Sequence, residues 1–391
     1  MNKRVYFLMM VSFVVGMVEL IISGILDLIA NDFNISLGQA GLLITIFSLI
    51  FAIAGPILLV ATAKVERKRL TLIFLFLFFL SNIVTILSPT FSVLFLARIL
   101  TALSGSLLVV LCLVMAPEIV EPAYRGRAIG VVTMGISGSI VLGVPIGLVL
   151  GNNFGWQAPF VLVAVLTLLS MVGVFLLMKE VAPKPSVPLR KQLATLKNKK
   201  IFFAHLTMFL FLAGHMVLYA YLKPFITITM GLEGLWVTVV YFLFGIAAVS
   251  GGGLGGTLAD RIGTNRAILS SVIIFGLTLF VIPYATAVLP IFLIVLVVWG
   301  MANWSLTPSL QSYLIETAPE TSDVQQSLNN SALHFGIAFG SFIGGIVIEH
   351  TTVLHNPSVG GIMVALALGA ALISMYGRVA VGKQTSISMH K

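Results

Sequence analysis

Charge is scarce in this chain. Only 9% of its 391 residues are Asp, Glu, Lys or Arg, while 59% are hydrophobic, and the mean hydropathy is +1.12. A water-soluble domain carries charge at about a quarter of its positions, so that class is excluded. Cysteine is scarcer still. Cys112 stands alone in an apolar run, which rules out an intramolecular disulfide and a cysteine metal cluster and leaves a small core residue. No "GxxxxGK[ST]" stretch occurs, so nothing points to ATP as a driving force. Hydroxyls and six histidines are scattered rather than gathered into a nucleophile with its base, and no catalytic residue, metal or cofactor is expected.

Long apolar runs dominate instead. Twelve of them are about 18 to 25 residues long, enough to cross a hydrocarbon layer about 30 Å thick. The first follows a short basic stretch, as a signal peptide would, but it is too long and lacks a small-residue cleavage site, so it is expected to remain as a span. The fifth is read as Ala128–Gly151, the seventh as Phe202–Tyr221, the tenth as Val288–Leu310 and the eleventh as Ser327–Ile348. With the N-terminus cytoplasmic and the spans alternating, all of the 22 Lys and Arg except Arg98 and Lys223 fall on the cytoplasmic side. That asymmetry is the positive-inside pattern, and it puts both termini in the cytoplasm of a bacterial-type plasma membrane. The net charge of +9 therefore reflects topology, and no nucleic-acid partner is expected.

The longest polar stretch, residues 179–200, is rich in Pro, Lys and Arg and splits the spans six and six. "GPILLVATAKVERKRL" (residues 55–70) and the stretch around "LADRIGTNR" (residues 258–266) are copies of one loop, a half-chain apart. Glycine-rich spans five and eleven recur at a similar offset. The expected fold is an all-α membrane protein in which twelve transmembrane helices form two pseudo-symmetric six-helix bundles, residues 1–178 and 201–391, joined by the 179–200 linker. A duplicated unit of this kind places a substrate site near the midplane between the halves.

The motifs carry a resemblance over nearly the whole chain. "LADRIGTNR" resembles the loop motif of the major facilitator superfamily, and "LARILTALSG", with Arg98 and Gly105, resembles its fourth-helix motif. "LGVPIG", with Gly143, Pro145 and Gly147, resembles the fifth-helix motif of the drug/proton antiporter group. "VELIISGIL", "ERKRL", "GHMVLYAYLKPF" and "WGMANWSLTPSLQSYLIETAPE" resemble the arabinose and sugar efflux branch, and their combination is most similar to bacterial purine efflux pumps. The resemblance implies a proton-coupled exporter of small molecules, working as a monomer in the bilayer. Sugar or multidrug efflux, an uncoupled facilitator and a transport-fold sensor remain the other readings.

Ionisable groups inside spans are costly, which makes each a functional candidate. Glu19 and His215 each lie about 14 residues into their spans, so at about 1.5 Å per residue they share a depth. Their spacing matches the repeat offset within one residue, and they are expected to face each other across the cavity as a proton-coupling pair. Arg98 joins them through the resemblance, in which the matching Arg organises the proton site. Eight residues further along, Asp27 and Lys223 repeat the spacing and are read either as an outer gate or as two solvated rim charges. Tyr219, Asn303, Trp304 and His334 are the substrate-binding candidates, with Tyr221 and Gln311 nearby. An amide that donates and accepts beside aromatic faces suits a flat nitrogen heterocycle, although each polar group is equally read as an interhelical hydrogen bond.

The two loop copies differ in one respect. The second keeps Asp260 and Arg261, which in the resembling superfamily tie helix eight to its neighbour across the cytoplasmic face. The first has Ala63 at the acid position and Glu66 with Arg67 further on. Glu66 is read either as the displaced acid or as a counter-charge to Arg67 and Arg69. The pair of loops is thus expected to form an asymmetric latch, with Asp260 the stronger member.

Overall fold

The computed structural model describes residues 3–121, 124–183 and 187–377. Lys184, Arg378, Lys383 and Lys391, part of the expected cytoplasmic charge, lie outside the described residues. Among the described residues twelve helices are long and apolar enough to cross a membrane, and the fold they form is all-α.

In the first half the spans are Arg4–Asp32, Leu37–Ala61, Arg67–Ile86, Phe91–Glu118, Arg125–Phe154 and Ala158–Leu177. In the second they are Lys199–Tyr219, Leu235–Ile262, Thr264–Ala285, Leu289–Thr317, Pro319–His350 and Val353–Tyr376. Span one packs on spans five and six as span seven packs on eleven and twelve, and the pairing of spans two and three with four recurs in eight and nine with ten. The halves meet chiefly through spans two and eleven and through spans five and eight.

Local sequence explains the irregularities. Span two starts at a capping box in which Ser36 accepts from the Gln39 amide while the Gln39 side chain accepts from Ser36 N–H, satisfying two donors that a helix start leaves open. Span five widens into a π-helical turn at Ser139–Gly143, just before Pro145. Proline has no N–H to return to the preceding turn, and the wider turn absorbs that loss without ending the helix. A side chain on Gly143 would press on Met17, and one on Gly147 on Ile21, so these glycines set the close approach of spans one and five.

Span seven, Lys199–Tyr219, is shifted toward the linker relative to the expected Phe202–Tyr221. Its helix ends at Tyr219, and a second helix, Leu222–Met230, follows. Pro224 cannot donate to the turn before it, so the break falls upstream of it. Spans ten and eleven run further than hydropathy suggests, to Thr317 and from Pro319, because their polar ends remain helical.

The bridges between the halves cluster away from the linker. Ser36 donates to Glu349 at 2.5 Å, Thr45 and Ser341 hydroxyls lie 2.9 Å apart, Tyr241 donates to the Ser23 carbonyl at 3.1 Å, and Lys223 pairs with Asp27 at 2.7 Å. That end is closed. Midway along, the Ser331 hydroxyl donates to the Ala52 carbonyl at 2.9 Å, the bridge in this set nearest the linker end.

Candidate functional site

Between the halves lies a cavity of about 230 Å³. Six of the sequence-derived candidates line it: Glu19, His215, Tyr219, Asn303, Trp304 and His334. Ser12, Thr307 and Asn330 line its linker side.

The arrangement around Glu19 differs from the expected one. Glu19 pairs with His334, not His215, its Oε1 lying 3.2 Å from Nδ1 of that ring. The contact is an ion-pair approach without hydrogen-bond alignment at Nδ1. Both side chains are largely enclosed, at 17% and 6% exposure. The His334 ring also lies against Phe51, centroids 4.2 Å apart. Span eleven crosses to span two of the other half, and this crossing carries His334 to Glu19.

His215 occupies an aromatic sleeve instead. Tyr219 stacks on it at 4.9 Å, Phe244 at 5.8 Å, and Trp299 meets it edge-on at 5.6 Å. Its Nδ1 has no hydrogen-bond partner among the described residues. His215 lines the same cavity as Glu19, but its ring turns to Phe244 of span eight and Trp299 of span ten.

Arg98 is wholly buried beside this site. It donates to the Val18 carbonyl of span one at 3.1 Å, and its guanidinium carbon sits 4.2 Å from the centroid of Phe47 on span two. Such cation–π contact suits a weakly hydrated cation in an apolar setting. The Glu19 carboxylate is near enough for its charge to act on Arg98. Arg98 thus ties spans one, two and four together behind the carboxylate.

The recognition side of the cavity is mixed. Asn303 is 3% exposed, and its Oδ1 has no partner among the described residues, which leaves an amide oxygen available to a ligand. Tyr219 and Trp304 supply ring faces. The neighbouring candidates do not join them. Tyr221 donates to the Ser341 carbonyl at 3.0 Å, and the Gln311 carbonyl accepts from Gln326 at 3.4 Å.

At the linker end the two loop copies differ in their partners. Asp260 and Arg261 are exposed, and among the described residues they show no ion pair or side-chain hydrogen bond. Glu66 is the engaged acid. It caps span three, accepting from Lys68 N–H and Arg69 N–H at 2.7 Å each, and accepts from Val181 N–H of the linker at 2.8 Å. Arg67 N–H returns a bond to the Val181 carbonyl at 3.0 Å. The first copy thus clasps the linker.

Burial works against the Glu66 charge, but the Val181, Arg69 and Lys68 amides and the Lys68 charge outweigh it and hold its carboxyl below the ordinary range. Stability from this group is therefore present above the unfolded-state value and lost as pH falls through the folded one. Glu66→Ala is expected to cost about 1 kcal/mol, the size of a lost helix cap. Thermal unfolding in detergent across acid pH checks it: the variant should lose part of the acid-side decline seen in the parent. Equal curves would remove the clasp.

Glu349 accepts the Ser36 hydroxyl across the halves. His205 is buried and meets Gln325 at 2.9 Å. Nothing in the local composition of either segment signals these partners.

Comparison with known proteins agrees with the fold. A family model for the Major Facilitator Superfamily matches residues 8–341. The uncharacterized MFS-type transporter YbcL of Bacillus subtilis (strain 168) is 35% identical over 370 residues, covering 95% of each chain. A probable sugar efflux transporter of Mannheimia succiniciproducens is 26% identical over 365 residues, covering 93% of this chain and 92% of its own. Among solved structures, a bacterial homolog to the human lysosomal transporter Spinster, inward-facing and unoccupied, superposes with a TM-score of 0.78 at 15% identity, covering 95% of this chain and 96% of that one.

Proposed function

The chain belongs to the major facilitator superfamily, and from that premise we propose that this multi-pass membrane transporter is a proton-coupled antiporter exporting small flat heterocycles, purine bases or nucleosides first among them. One observation carries the reading: the Glu19–His334 pair and the groups suited to substrate, Tyr219, Asn303 and Trp304, line the same cavity. A proton and a substrate bound to one enclosed space influence each other electrostatically, and that mutual influence is what exchange requires. The basic residues gathered at the linker end support a cytoplasmic linker and an inward-open arrangement.

The substrate class follows from the donors and acceptors. The Asn303 amide and the ring faces favour a planar ligand with ring nitrogens. Sugar efflux is the second reading, favoured by relatives named as probable sugar efflux transporters. Radiolabelled export of purine bases, nucleosides, pentoses and cationic dyes from loaded vesicles separates them. Transport of bases or nucleosides above pentoses is expected; export of pentoses alone ends the heterocycle assignment.

Asp27 and Lys223 form the far-end gate in this scheme. Their pairing at 2.7 Å belongs to the state open toward the linker and separates in the opposite one. Joint reversal, Asp27→Lys with Lys223→Asp, is expected to keep more transport than either Asp27→Asn or Lys223→Gln. Equal transport by all three in a vesicle uptake assay would end the gate assignment.

A further inference from the structure

Glu19 borders two cavities, not one. Toward the Asp27–Lys223 end, a chamber of about 10 Å³ adds Ser23, Ile44 and Ser48 to lining it shares with the larger cavity, Glu19 and Tyr219 among it. That volume accommodates about one water where polar groups hold it. Ser48 is such a group. It is 1% exposed, and its hydroxyl has no partner among the described residues, whereas the Ser23 hydroxyl is turned onto the Leu20 carbonyl at 2.7 Å. The substrate candidates Asn303, Trp304 and His334 line the larger cavity and not this chamber.

We propose that the chamber is the proton's own access to Glu19, with one water held between the Ser48 hydroxyl and the Glu19 carboxylate. The inference rests on the proton-coupled reading above. Glu19 and Ser23 lie four residues apart on one face of span one, and Asp27 follows beyond the kink at Ile25. Tyr219, which lines the chamber, and Lys223, which pairs with Asp27, lie opposite at the same spacing. In the closed arrangement that ion pair and the Tyr241 bond to the Ser23 carbonyl stop the path beyond the chamber.

When the pair separates, an arriving proton binds the chamber water as that water gives one of its own to the carboxylate. Two protons each shift by one place, the water is regenerated, and the net result is one proton on the carboxylate. The consequence is an order of events: Glu19 is protonated from one side while substrate still occupies the larger cavity on the other. The groups facing Glu19 are His334 of span eleven, Arg98 of span four and, around the same cavity, His215 and Tyr219 of span seven. Of these only Tyr219 reaches the chamber.

Full-length protein in proteoliposomes tests this, with radiolabelled adenine as probe and xylose in its place if adenine is not carried. Two rates are measured, uptake driven by an acid-inside gradient and exchange at equal pH. Ser48→Val fills the chamber and removes the hydroxyl, and the ratio of driven uptake to exchange is expected to fall about tenfold, a modest share of what a positioned proton-transfer group supplies. Ser48→Ala, which only removes the hydroxyl, should lower the same ratio by less. An unchanged ratio in both variants, including one in which both rates drop together as a packing defect would make them, overturns the proposal. Absence of gradient-driven uptake in the parent protein is a different result: it overturns the proton-coupled reading, and the chamber's role with it.

Discussion

Glu19→Gln is expected to abolish gradient-driven uptake while exchange at equal pH continues. The amide keeps the shape and a hydrogen-bonding oxygen, so the Glu19 position still meets His334 across the halves. It cannot take up and release a proton near neutral pH, so the gradient loses its handle on the cavity. Driven uptake should fall by about two orders of magnitude or more, the range a positioned acid–base group supplies. Exchange, which moves no net proton, should keep its rate, because Asn303, Trp304 and Tyr219 are untouched. Proteoliposomes with and without an imposed gradient measure both rates. Full coupling in the Gln variant would move the proton site elsewhere, with His334 next in line.

Depth along each helix was legible in the sequence; direction around it was only partly so. A buried charge in an apolar run stands out by composition alone, which is why Glu19, Arg98 and Asp27 were found. Duplication then matched Asp27 with Lys223, and the structure pairs them at 2.7 Å. The same arithmetic matched Glu19 with His215, and there it failed. Equal depth says nothing about which neighbours a side chain meets, and His215 turns into the Phe244 and Trp299 rings while span eleven delivers His334. The span count followed from hydropathy because each run had the length of a bilayer. Helix ends did not, since polar residues such as Gln325 and Asn329 continue a helix without raising its hydropathy.

The loops show a different limit. Asp260 and Arg261 were named through a resemblance that describes a tie across one face, and that tie is a property of one conformation. With the far end closed they are exposed, and Glu66 holds the linker instead. A sequence encodes contacts of every state, and one structure displays those of one. Glu349 is the converse case. Its partner Ser36 lies on another half of the chain, and no local pattern announces a contact of that kind.

Arg98→Met is expected to destabilise the protein by about 3 kcal/mol, because it strands a carboxylate rather than because it empties space. Methionine fills much of the volume beside Phe47, yet it offers nothing to the Val18 carbonyl, which accepts from Arg98 at 3.1 Å, and no charge toward Glu19. Removing one member of a buried charged set costs more than removing both, since the survivor is left uncompensated. Adding Glu19→Gln to Arg98→Met should therefore recover most of the lost stability, though not the coupling. Thermal unfolding of the parent, both single variants and the double variant in one detergent gives the interaction energy directly. A double variant no more stable than Arg98→Met would assign the guanidinium to the Val18 carbonyl and the Phe47 face, and charge balance with Glu19 would no longer explain why an arginine is buried there.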